Sequence, residues 1–202
     1  MRAREVALRA LAAAYAIMWI GGLATVGQPQ PGWASPVFLV LAGALSAAAA
    51  VDTRAVALFA AGGLLAEVVG VHTGFPFGRY EYTARLGPAV WGVPLAIAGA
   101  WVSLLLMARE VARNRFLLGT ALMTAIDLLV DPVASRVLGY WEWRQPGFWF
   151  GVPLINFAGW FVVSWALLLA AGPPSKSSRL VIGIGISVIA FLAATAARFA
   201  LL

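Results

Sequence analysis

Apolar residues fill most of this chain, and polar ones interrupt them at nearly regular intervals. Seven apolar runs result, over residues 6–26, 36–51, 55–71, 89–108, 116–133, 150–171 and 180–199. Each is close to the ~20 residues that a helix needs to cross a bilayer. The second and third are short and joined tightly through Asp52-Thr53-Arg54, which predicts a helical hairpin. The pattern predicts an all-α fold: one polytopic transmembrane domain over residues 1–202, a bundle of about seven helices. The opening MRAREVALRA and its apolar run imitate a secretory leader. The run is long for such a segment and no polar cleavage region follows, so it is expected to be the first retained span.

Composition agrees: 62% of residues are hydrophobic, 11% are charged and the mean hydropathy is +0.91. That balance belongs to membrane proteins. Cysteine is absent, which excludes disulfides, thiolate metal sites and cysteine nucleophiles. A lone histidine, His72, argues against a zinc site, so no metal is expected. The net charge of +6 comes from basic residues at the ends of apolar runs, a pattern of membrane orientation and not of nucleic-acid binding. With the N-terminus inside, the inner segments hold Arg2, Arg4, Arg9, Arg54, Arg109, Arg113, Arg115, Lys176 and Arg179. The outer segments hold Arg79, Arg85, Arg136, Arg144 and Arg198. Nine against five favours N-in and C-out in a prokaryotic cell membrane.

The chain also repeats itself. Arg79-Tyr80-Glu81-Tyr82 precedes Gly87 and then Gly92-Val93-Pro94-Leu95; Tyr140-Trp141-Glu142-Trp143 precedes Gly147 and then Gly151-Val152-Pro153-Leu154. Upstream, Glu67 matches Asp127. Residues 55–108 and 116–171 therefore read as two units running in the same direction, an arrangement that places sites at the interface of the units. Each Gly-Val-Pro-Leu is expected to open a helix, since proline suits a first helical position whose N–H has no partner. Its positive N-terminus either favours an anion or water-derived oxygen at an outer cavity, or is an ordinary helix start.

Glu5, Asp52 and Glu110 fall at inner boundaries beside arginines and read as solvated or paired charges. Glu67, Glu81, Asp127, Asp131 and Glu142 fall in the outer half of the two units. Asp127 and Asp131 are four apart, so a helix puts them on one face about 6 Å apart along its axis. Ionisable groups at that depth are costly and mark a site by default. Five carboxyl groups in one dry region cannot all ionise, so at least one is expected to keep its proton and act as a general acid. The alternative is that Arg79, Arg85, Arg136 and Arg144 pair with them and only lock the loops. The aromatics around Glu81 and Glu142 serve either an interfacial belt or the walls of a cation pocket; for Phe148 and Trp149 the belt is the better reading. Asn156 either bonds across helices or orients a water. His72 reads as an interface residue.

Taken together, GFPFGRYEYTARLGPAVWGVPLAI, DLLVDP and GYWEWRQPGFWFGVPLINFAGW resemble the membrane-bound carotenoid 1,2-hydratase family, over about residues 67–160. The resemblance implies a hydro-lyase that adds water across the terminal 1,2 double bond of an acyclic carotenoid ψ-end. The product is a tertiary alcohol and no cofactor takes part. It also implies a carotenoid substrate, a bilayer setting and the company of other carotenoid-pathway enzymes.

The residues suit that chemistry. Protonating the less substituted alkene carbon needs a strong, dry acid, and the tertiary cation is then captured by a positioned water. Asp127 or Asp131 is the expected proton donor, with Glu142 and Glu81 activating or orienting water and Glu67 as a further carboxyl of the catalytic set. Tyr80, Tyr82, Trp141, Trp143, Trp160 and Arg79 are expected around the substrate, and Asn156 holds the water. Rival readings are an end-group cyclase, which quenches the cation with an internal double bond, a small transporter or proton relay, and a pigment-binding scaffold.

Overall fold

The computed structural model describes residues 2–28 and 30–199, with side chains from residue 5 onward. Arg2 and Arg4 of the orientation tally thus have side chains outside the described residues. Seven helices follow one another: α1 (Arg2–Ala24), α2 (Ala34–Ala49), α3 (Thr53–Thr73), α4 (Ile97–Ala112), α5 (Phe116–Pro132), α6 (Leu154–Ala171) and α7 (Arg179–Arg198). Among the described residues, five stretches are long and apolar enough to cross a membrane: Glu5–Ala24, Thr53–Thr73, Phe116–Val137, Leu154–Ala171 and Arg179–Arg198. Helices α2 and α4 are shorter, with 16 residues each.

The centre of the bundle is α4. From Trp101 to Glu110 every residue is buried, with α2, α3, α5 and α7 packed around it. A helix with apolar residues on every side has no face to give to solvent or lipid, so neighbours must cover it. Small residues permit a close crossing: Gly43 of α2 lies directly on Gly99 of α4, and a Cβ at either position would overlap the other helix's backbone.

Two departures from the predicted elements shape the end of the bundle that carries the two aromatic–Glu–aromatic triplets. The fourth span was expected from residue 89, but α4 begins at Ile97. The residues before it fold into a hairpin of β2 (Ala89–Val90) and β3 (Val93–Pro94), turning on Trp91 and Gly92 at φ +50° and +77°. Two consecutive positive φ values are the mark of a type I′ turn. The first Gly-Val-Pro-Leu therefore supplies a strand and not a helix start. The second repeats the turn at Phe150 (φ +48°) and Gly151 (φ +86°), bridging Trp149 to Val152, and α6 then starts directly after Pro153.

The second departure is a ribbon. β1 (Tyr80–Tyr82) pairs antiparallel with β4 (Trp141–Trp143), in the register Tyr80↔Trp143, Glu81↔Glu142 and Tyr82↔Trp141. The all-α reading describes the bundle and misses these short strands. Helix α5 reaches the ribbon through Pro132 and a π-helical turn over Val133–Val137. Proline has no N–H for the carbonyl of Leu128, and the Trp149 indole supplies that bond at 2.9 Å.

At the opposite end of the bundle, Arg109 is buried and spans several groups. It donates to Asp52 at 2.8 Å and to the carbonyls of Ala171, Gly172 and Pro173 at 3.0, 2.7 and 3.1 Å. It thereby satisfies carbonyls at the end of α6 that have no helical partner.

Candidate active site

The ribbon closes over three carboxyl groups. Asp127 and Asp131 share a face of α5 as their spacing predicts, and Glu67 faces the same region from α3; their exposures are 0%, 2% and 6%. The Asn156 amide, in the first turn of α6, donates one hydrogen to each aspartate: 2.6 Å to Asp127 Oδ2 and 2.7 Å to Asp131 Oδ2. It thus bridges the two acids, in line with the cross-helix alternative. The indoles of Trp141 and Trp143 both donate to Asp131 Oδ1, at 2.9 and 3.1 Å. Glu67 Oε2 accepts from the Tyr80 and Tyr82 hydroxyls at 2.5 and 2.8 Å, and Glu67 Oε1 from the Trp101 indole at 3.0 Å.

Strand alternation explains who enters. Side chains at i and i+2 share a face, so Tyr80, Tyr82, Trp141 and Trp143 all point at the acids. Glu81 and Glu142, the middle residues, point away. They are 54% and 60% exposed, and both pair with Arg144, Glu142 at 3.4 Å. The expectation that they activate water at the site is therefore corrected: neither reaches the cavity. Arg79 is likewise exposed, with its backbone engaged by Gln145 and Arg144. The loop-locking alternative describes the two glutamates better, through Arg144. His72 is exposed and bonds the carbonyl of Val68.

Among the described residues, every polar partner of the three acids is a neutral N–H or O–H group, and the ion pairs lie elsewhere. Asp127 Oδ1 is buried with no partner at all. Burial, and after it the neighbouring Glu67 carboxyl, push the Tyr80 and Tyr82 phenols far above their ordinary value, so both keep the proton they donate.

A cavity of about 80 Å³ opens beside this network, lined by Glu67, Asp131 and Asn156 and walled by Trp101, Trp141 and Trp160, among others. Asp127 is set back from its surface. Trp101 and Trp160 stack with ring centres 4.6 Å apart and planes 17° from parallel. Trp101 was not singled out in the sequence. A signal was there: it follows Gly92 by the same nine residues that separate Trp160 from Gly151. The bonding also revises the expected match of Glu67 with Asp127. Glu67 takes two donors from β1 and Asp131 takes two from β4, so Asp131, not Asp127, plays the part that Glu67 plays.

An acid poised among donors that welcome its conjugate base, beside aromatic faces that tolerate a cation, can protonate an apolar double bond. Part of this sequence is shared with a known protein. It is 35% identical over 108 residues to a bisanhydrobacterioruberin hydratase of Haloarcula japonica, covering 48% of this chain and 36% of that protein. The chain thus spans about a third of that relative's length. No solved structure matches. Residues 32–181, which include the acids, the ribbon, helices α2 to α6 and the first residues of α7, match the family described as carotenoid biosynthesis proteins, and the chain belongs to that family.

Proposed function

We propose that this protein hydrates the terminal 1,2 double bond of an acyclic carotenoid ψ-end. The observation that carries the reading is the pair of buried carboxyl groups, Glu67 and Asp131, opening on an aromatic cavity without a cation to neutralise them. Without such a partner the two cannot both ionise cheaply, so one holds a proton: Asp131 is the acid, and Glu67, with three donors on its two oxygens, is the carboxylate.

In the first step the Asp131 O–H bond breaks and a C–H bond forms at C2, leaving a tertiary cation at C1. The indoles of Trp141 and Trp143 and the Asn156 amide stabilise the carboxylate left behind, and these fixed dipoles need no reorganisation as charge develops. The faces of the stacked Trp101 and Trp160 border the cation. Water then bonds to C1 through oxygen and yields a proton to Glu67. Return of that proton to Asp131 through cavity water resets the site. Asp127 shares the Asn156 amide with Asp131 and acts by holding the donor in place.

Two structural readings accompany this one as proposals: the parallel duplication, supported by the paired triplets and the matched tryptophans, and the N-in orientation from the arginine tally. Transport is disfavoured by the Arg109 network, which fills the end of the bundle opposite the acids.

The test is expression in a host that accumulates an acyclic ψ-ended carotenoid, with mass spectrometry of the pigments. A gain of one water per processed end is expected, and Asp131→Asn should abolish it. A product of unchanged mass with a ring would replace hydration by cyclisation. Unaltered pigment beside well-inserted protein would sink the reading.

A further inference from the structure

The acid chamber is too small for its substrate. Sites that enclose drug-sized ligands run to roughly 300–1,000 Å³, and about 80 Å³ holds only an end group. A larger cavity, of about 370 Å³, lies next to it between α1, α2, α7 and the turn after α5. Its walls include Met18, Phe38, Val137 and Phe191, and its rim carries Gln28 and Arg85.

The two spaces are one side chain apart. Three elements give residues to both: Phe38 and Leu39 on α2, Phe191 and Leu192 on α7, and Leu138 and Ala134 in the turn, the first of each pair to the larger cavity and the second to the chamber. Tyr140 lines both. Its hydroxyl donates to Ser35 Oγ at 2.6 Å. Its backbone is pinned separately, by its N–H to Ala134 at 2.8 Å and by its carbonyl, which accepts from Thr83 N–H at 2.9 Å. The ring can therefore swing while the chain stays still.

We propose that the larger cavity holds the polyene of the substrate whose reactive end sits in the acid chamber, with the Tyr140–Ser35 hydrogen bond as the gate between them. This rests on the hydration reading. The occupant follows from the geometry: the chamber has room for an isopropylidene end, the remaining chain must continue somewhere, and the adjoining space is larger and walled in part by Met18, Phe38, Val137 and Phe191.

The test uses full-length protein in detergent with lycopene as the probe. An achiral polyene has no circular dichroism free in solution and acquires a visible band in a chiral site. Asp131→Asn protein should bind lycopene unreacted and show that band. Filling the cavity from one wall with Leu138→Trp, or from the opposite wall with Met18→Trp, should erase it. In otherwise unaltered protein the same fillings should raise KM for lycopene about tenfold or more. Turnover of a five-carbon isopropylidene alcohol, little more than the end group that the chamber holds, should stay within about twofold, and this also shows that the fillings fold. An unchanged band and KM in both fillings would overturn the proposal and leave the cavity to lipid chains. If unaltered protein hydrates neither compound, the hydration reading falls, while the band still reports whether the cavity takes a polyene.

Discussion

Both ends of this bundle bury carboxyl groups, and they do so in opposite ways. At one end Asp52 meets Arg109, which also takes three carbonyls, while Glu110 accepts the backbone N–H of Ser178 at 3.2 Å. There a cation stands among the acids and also ties down three carbonyls. At the other end Glu67, Asp127 and Asp131 share neutral donors, and one oxygen has none. The first cluster ties α3, α4 and α6 together. The second stores protons beside an apolar cavity. Burial alone does not mark a site; burial without compensating charge does.

The contrast can be broken most sharply at Asp131. Asp131→Asn keeps the size and the acceptor oxygen but loses the proton, so turnover should fall by about 10³-fold or more, with unfolding in detergent little changed. Arg109→Met should do the reverse. It leaves the half-buried Asp52 without its cation and three carbonyls without their donor, at about 1–3 kcal/mol for a buried acceptor, so thermal unfolding should drop well below that of the parent while folded protein retains its activity per molecule. If Arg109→Met leaves stability intact, the structural reading of that end is wrong.

Smaller effects sharpen the comparison. Trp141→Phe removes one of the three donors to Asp131 and should cost about 1 kcal/mol or a little more, a loss of roughly tenfold in turnover. Arg144→Ala breaks only the exposed pairs with Glu81 and Glu142. It should change stability by under about 1 kcal/mol and turnover by less than about twofold; a large loss would return the two glutamates to the reaction.

The smallest effect is a pH dependence. The Ala55 N–H, with Arg109 behind it, holds the Asp52 carboxyl below its ordinary value. A depressed acid stabilises the fold above its unfolded value and loses that contribution as pH falls through the folded one. Stability should therefore decline slightly below about pH 4, and Asp52→Asn should flatten the decline in an acid titration of the melting temperature.

Periodicity and spacing alone determined much of this: the seven apolar segments, the shared face of Asp127 and Asp131, the two aromatic–Glu–aromatic triplets and the glycine turns after them. These are local properties, set by helix geometry and by the cost of burying charge. Which residues of the triplets face inward was decided only when β1 met β4 across sixty residues, because a strand has two faces and only a partner and a core choose between them. The same long-range meeting sent Glu81 and Glu142 outward, brought Trp101 to Glu67 from the central helix and left Asp127 behind Asp131. A sequence names the groups that must be buried; only the packed chain decides which of them share one cavity.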